Sequence, residues 1–217
     1  MSQSTTFTIL LGGELRLTER LHAATVGSRF IAADGGMRHA VALNTTPELW
    51  VGDFDSTPAD LLGAFPHVPQ RPYPSAKAAT DGEIAISEAI DRGAKRLILA
   101  GAMGGERSDH AIQHLLYGVQ LAEKGFDVLL TSGDEEAVPL LPGDLELALP
   151  AGSLFSILGF SDLTGLFIHN ARYPLRDFHL PFGASRTISN VAEGPVRLSL
   201  GSGRAIVLAR PYDLSGV

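Results

Sequence analysis

Through the first 130 residues, apolar positions gather into short runs parted by polar, glycine-rich breaks. Thr6 to Leu11 (TFTILL) is one such run, stopped by Gly12-Gly13, and it reads as a buried strand. Arg29 to Ala33 (RFIAA) repeats the pattern and ends at Asp34-Gly35-Gly36. Leu49 to Val51 does so again and breaks at Gly52-Asp53. Met37, Ala40, Val41 and Leu43 fall at helical spacing. Thr80 to Ile90 carries a second helical stripe (Ile84, Ala85, Ala89), with Asp81 and Glu83 in the first turn, where negative charge suits a helix N-terminus. Arg96 to Ala100 (RLILA) reads as a strand and Gly101 to Gly105 as a loop. A long helix from Ser108 to Lys124 is stopped by Gly125, and Asp127 to Thr131 closes the series. Strands alternating with helices predict an α/β domain on a mostly parallel sheet covered on both faces.

After Ser132-Gly133 the texture changes. Leu145 to Leu208 holds short runs (LELAL, SLFSIL, FIH, VRLSL, AIVLA) separated by turn residues, without a helical stripe. That pattern predicts an antiparallel, all-β, sandwich-like domain. The charged, proline-containing stretch from Ser132 to Gly143 is the expected junction, giving domains 1–135 and 136–217.

Composition narrows the chemistry. A chain of 217 residues with 45% apolar content has core enough to fold without staples. The absence of cysteine excludes a disulfide scaffold, a zinc ribbon, an iron–sulfur centre and a thiol nucleophile. Seventeen basic against 24 acidic residues, a net charge of −7, argue against a nucleic-acid partner. No apolar run approaches the roughly 18 residues of a membrane span. The first residues, MSQSTTFTILLGGE, lack a positively charged leader, so the expected location is cytoplasmic, with no membrane partner.

Acids recur where the predicted strands end: Asp34 in AADGG, Asp53 and Asp55 in VGDFDS, and Asp81 in ATDGE. Ligands of an open parallel sheet bind beyond the carboxyl ends of its strands, so these acids converge on one crevice. Asp-x-Asp after a strand can aim two carboxylates at a hard cation such as Mg²⁺. A single aspartate there equally serves as a helix cap or turn former. The loop GAMGGERSDH lets backbone N–H groups of Gly104 and Gly105 approach phosphate, with Arg107 as a bidentate cation beside Asp109 and His110. Its spacing is neither GxGxxG nor a P-loop. Lys77, one of three lysines, stands just before Thr80-Asp81 and suits a polyphosphate partner or plain solvent. Ser189-Asn190 is a polar break between β runs, either a ligand contact or a turn. Trp50 reads as core.

In this order the segments resemble the thiamine pyrophosphokinase (thiamine diphosphokinase) family. The matching residues are AADGG at Ala32 to Gly36, VGDFDS at Val51 to Ser56, Lys77-x-x-Thr80-Asp81, and Gly104-Gly105-x-Arg107-x-Asp109-His110. Leu163-Thr-Gly-Leu166, Tyr173-Pro-Leu175 and Ser189-Asn190 complete them. The resemblance spans about Thr8 to Val207. It implies an α/β nucleotide-binding domain followed by a β-sandwich, a homodimer with thiamine between subunits, and Mg²⁺-assisted transfer of diphosphate from ATP to the thiamine hydroxyl with release of AMP. Asp53, Asp55 and Asp81 would hold the metal, with Asp34 at the edge of that site. Lys77 and Arg107 would neutralise the polyphosphate, which Gly104, Gly105, Asp109 and His110 help to bind. Ser189 and Asn190 would contact thiamine, and Tyr173, Phe178 or Phe182 would cover its rings. Ala78, Glu106 and Val191 depart from the family pattern. A related diphosphokinase acting on a pterin-type alcohol, or a catalytically silent binder of nucleotide or thiamine, are the alternatives.

Overall fold

The protein is described by a computed structural model covering residues 4–54, 57–73 and 79–216. Asp55, Ser56 and Lys77 lie outside the described residues. The chain divides into two compact units, Met1–His114 with Phe126–Gly133, and Leu115–Gly125 with Asp134–Val217.

The first unit is built on six strands: β1 (Thr6–Leu10), β2 (Arg29–Ala33), β3 (Leu49–Gly52), β4 (Gln70–Pro72), β5 (Arg96–Ala100) and β6 (Asp127–Thr131). Every pairing among them is parallel, and they lie in the order β6-β5-β1-β2-β3-β4. Helices α1 (Glu19–Thr25), α2 (Arg38–Ala42), α3 (Ala59–Ala64), α4 (Asp81–Asp91) and α5 (Ser108–Glu123) connect them. Phe7, Ile9 and Leu10 of β1 are fully buried, as is Thr8, whose hydroxyl pairs with Ser28 Oγ at 2.8 Å. Burial on both faces explains why such strands appear in the sequence as continuous apolar runs. Helix α4 packs on β1, β2 and β3. Its N-terminus is fixed by a capping box: Thr80 Oγ1 accepts from Glu83 N–H, and Glu83 Oε2 accepts from Thr80 N–H at 2.8 Å.

The chain runs outward from β1 through β2 and β3 to β4, then returns through α4 to place β5 on the other side of β1. Strand order therefore reverses between β1 and β5. This is the topological switch point at which open α/β sheets bind ligands.

The second unit is antiparallel, so the fold as a whole is mixed rather than parallel throughout. Its strands are β7 (Glu136–Leu140), β8 (Gly143–Leu147), β9 (Leu154–Gly159), β10 (Leu163–Ala171), β11 (Leu175–Leu180), β12 (Asn190–Leu200) and β13 (Ala205–Arg210). One sheet runs β8-β12-β10-β11 and another β12-β9-β13-β7, with the 11-residue β12 shared between them. Phe155, Ile157, Leu166, Ile168, Val196, Leu198 and Val207, drawn from both sheets, form one buried core.

Several elements differ from the sequence-based expectation, among them helix α3 and strand β11, which it did not anticipate. The Ser132–Gly143 stretch contains β7 rather than only a junction. Pro139 sits opposite Ile206, and Ala137 and Leu140 are buried, so its proline and charges hid a paired strand. Helix α1 offers only Leu21 and Thr25 to the core, too narrow a stripe to register. Strand β4 is three residues long and exposed.

Candidate active site

At the switch point lies a cavity of about 760 Å³. Its walls come from the carboxyl ends of β1 (Leu11, Gly12, Gly13, Glu14), β2 (Ala33, Asp34, Gly35) and β5 (Gly101, Ala102), and from the starts of α4 and α5. It brings together Asp34, Asp81, Gly104, Gly105, Arg107 and His110. Asp53 and Asp109 are not part of its wall, and Asp55 and Lys77 lie outside the described residues.

Asp34 is held in a left-handed conformation, φ 45°, at the start of a 3₁₀ turn spanning Asp34–Met37. Aspartate tolerates that region better than most side chains. Buried Trp50 secures it, donating its indole N–H to the Asp34 carbonyl at 2.9 Å. Trp50 is thus core, as expected, and also a support for the site. Gly52 lies flat against Asp34, where a Cβ would come within 3.3 Å of its Cα, so half-buried Asp53 leaves β3 beside Asp34. Asp81 opens α4.

Gly104 (φ 76°) and Gly105 (φ 85°) occupy backbone conformations that need glycine, and both face Glu14. Arg107 donates to Asp109 in a fork, Nε to Oδ1 at 3.0 Å and Nη2 to Oδ2 at 2.8 Å. The guanidinium holds the Asp109 carboxyl well below the usual carboxylate range. Both groups are solvent-exposed, so this pair contributes little to stability.

Two histidines support the floor. His39 Nε2–H donates to the Gly13 carbonyl at 2.9 Å, and burial lowers its pKa. His114 Nδ1–H donates to the Ala102 carbonyl at 2.9 Å, and burial lowers its pKa as well. A carbonyl only accepts, which fixes both tautomers. His110 stands edge-on to His114, ring centroids 6.2 Å apart.

Sequence reasoning missed two wall residues, Glu14 and Arg38. Gly12-Gly13-Glu14 after β1 was legible only as a strand stop, although its place at a strand end was the available signal. Arg38 reaches from α2 to three backbone carbonyls: Gly12 at 2.5 Å, Gly13 at 2.9 Å and Gly35 at 3.1 Å. Nothing in the pattern of side chains announces such contacts.

In the second unit, Ser189 is exposed, with φ 57°, and its N–H donates to Ser156 Oγ at 3.0 Å. Asn190 is buried and its amide is spent on backbone. Oδ1 accepts from Tyr173 N–H at 3.1 Å and Val191 N–H at 2.8 Å, while Nδ2 donates to the Tyr173 carbonyl at 2.9 Å. The geometry gives Asn190 the task of holding Tyr173, which is 50% exposed. These backbone contacts account for the Asn190 side chain in this structure.

The family model described as thiamin pyrophosphokinase, catalytic domain, matches residues 24–130. Over this segment the chain is similar to the thiamin pyrophosphokinase catalytic domain. The thiamine pyrophosphokinase from Bacillus subtilis has the same fold, with a TM-score of 0.81 at 23% identity over 95% of this chain and 99% of that one. The thiamin pyrophosphokinase from Geobacillus thermodenitrificans gives 0.80 at 24% over 94% and 97%. That from Candida albicans gives 0.76 at 14% over 95% and 88%. No curated protein sequence matches the chain.

Among the described residues, no three His, Asp or Glu side chains come together as a ready-made metal centre. Asp34 and Asp81 nevertheless line the cavity, and a carboxylate is a hard oxygen donor. Mg²⁺ is ordinarily held by one or two carboxylates, substrate phosphates and water, so this donor set fits it.

Proposed function

We propose that the protein transfers a diphosphate group from ATP to the hydroxyl of thiamine, releasing AMP. The observation that carries this reading is the switch-point cavity, which gathers Asp34, Asp81, Gly104, Gly105 and Arg107 at the strand ends. Glycine N–H groups beside a cation suit a polyphosphate. Arg107 turns from exposed Asp109 to phosphate at little cost, since the pair it gives up is solvated. Asp109 and His110 complete that rim, and Lys77, from the stretch before α4, adds a second cation.

Asp53, Asp55 and Asp81, with Asp34 at the edge, are the proposed holders of Mg²⁺. When bound, Mg²⁺ would neutralise charge on the phosphate oxygens. The protein's own part is positioning and electrostatics, which supply most of the catalysis in phosphoryl transfer. Trp50 and Gly52 keep Asp34 and Asp53 in place, and the glycine loop admits the nucleotide.

Residues 1–135 are assigned to nucleotide binding and catalysis, and 136–217 to thiamine binding and homodimer formation. Ser189 and Asn190 belong to the acceptor site in this reading, Asn190 by holding Tyr173 toward thiamine. The reaction is placed in the cytoplasm, without nucleic-acid or membrane partners. No helix among the described residues is long and apolar enough to cross a membrane.

The test is a turnover assay with Mg²⁺, ATP and thiamine. Equal amounts of AMP and thiamine diphosphate are expected. ADP in place of AMP would sink the diphosphokinase reading. Faster turnover of a pterin-type alcohol would reassign the acceptor, and saturable binding without turnover would make the protein a silent binder.

A further inference from the structure

Among the described residues, seven charged side chains line the cavity: Glu14, Asp34, Asp81, Glu83 and Glu106 against Arg38 and Arg107. A crevice so acidic repels a triphosphate unless its cations are available. Arg107 reaches phosphate only by turning from the Asp109 carboxylate. Arg38 is bound differently. Its three acceptors are the neutral carbonyls of Gly12, Gly13 and Gly35, and among the described residues no carboxylate lies within ion-pair distance of it. Among the described residues its positive charge is therefore not cancelled, and its Nε–H and one Nη1–H are unspent among the five donors of a guanidinium.

We propose that Arg38 is the principal polyphosphate-binding cation of this cavity, holding the loops after β1 and β2 together while presenting its remaining donors to the phosphates. The inference rests on the diphosphokinase reading above. It follows from two effects acting in the same direction. Left bare, the carbonyls of Gly12, Gly13 and Gly35 turn the negative ends of their dipoles toward the ligand; Arg38 covers all three. The same guanidinium adds a full charge at the strand-order reversal, where an anion sits against β1 and β5. Lysine is a poor substitute, because its point charge cannot fork across three carbonyls and still donate outward.

Calorimetric binding of ATP and of AMP, each with Mg²⁺, to the full-length wild type, Arg38→Gln and Arg38→Lys decides the matter. Loss of a charge-assisted contact costs roughly ten- to a hundred-fold in affinity. Arg38→Gln should lose that much for ATP and no more than about three-fold for AMP, since the effect scales with the phosphates beyond the first. Arg38→Lys should fall between wild type and Arg38→Gln. A merely structural Arg38 would weaken ATP and AMP alike, and that outcome overturns the proposal, as does wild-type ATP affinity in Arg38→Gln. If Arg38→Gln fails to fold, Arg38→Lys carries the same comparison: a loss confined to ATP supports the proposal, and equal or absent losses overturn it. A wild type that binds no ATP overturns the functional reading itself, a result separable from either variant's behaviour.

Discussion

At the scale of single residues, the site depends on side chains that never meet the ligand. Trp50 places one hydrogen bond on the carbonyl of a left-handed aspartate. Trp50→Phe keeps an aromatic ring there but strands that carbonyl, at a cost of about 1–3 kcal/mol from the orphaned acceptor. Urea unfolding should show that loss, and turnover should fall with it as Asp34 relaxes; wild-type stability would remove the bond from the account. The two neutral histidines bear on acid sensitivity. Burial holds the pKa of His39 and His114 below the ordinary 6.5. The unfolded chain therefore takes up protons near pH 6.5, while the folded chain resists. The stability these groups contribute is complete above about pH 6.5 and is lost as pH falls toward their folded values. Unfolding midpoints measured from pH 7.5 down to 5.5 should decline, and His39→Gln should decline less steeply. A parallel decline in the variant would count against His39.

At the scale of elements, close backbone approach separates glycines that look alike in sequence. A Cβ on Gly36 would meet the Leu10 carbonyl oxygen at 2.2 Å, whereas one on Gly12 meets nothing within 4 Å. Gly36→Ala should cost about 3 kcal/mol, because β1 and the turn after β2 must part. Gly12→Ala should stay within about 0.5 kcal/mol. Comparable denaturation midpoints for the two would contradict this geometry. The parallel strands were legible because burial on both faces leaves an uninterrupted apolar run, as in β1 and β5. Strand β7 was not, since Pro139 and its acidic neighbours read as a linker while pairing with β13 supplies the order. Asp34, Asp81 and Gly104-Gly105, which line the cavity, were legible from position alone. Arg38 was not, because contacts to carbonyls leave no mark in the side-chain pattern, and Asn190 was ambiguous because an amide bonds equally well to ligand or backbone.

At the scale of the whole molecule, every described residue lining the cavity falls between Leu11 and His114, inside the first unit. Mg·ATP should therefore stabilise the protein without thiamine, by about 2.7 kcal/mol at a hundred times its dissociation constant. Thermal unfolding with ATP alone reads this, and a shift that needs both substrates would speak against a nucleotide site confined to that unit. The reversal of strand order between β1 and β5 also reaches back to the protein's birth. Strand β1 can pair with β2 soon after emerging from the ribosome, but its other neighbour, β5, is encoded roughly 70 residues later. At ordinary synthesis rates that is a delay of about 3 to 15 s. Throughout it the nascent chain carries the bare edge of an apolar strand, and an unpaired edge is a template for wrong partners. The same connection that makes the crevice leaves the growing polypeptide in need of protection until Ala100 has been added.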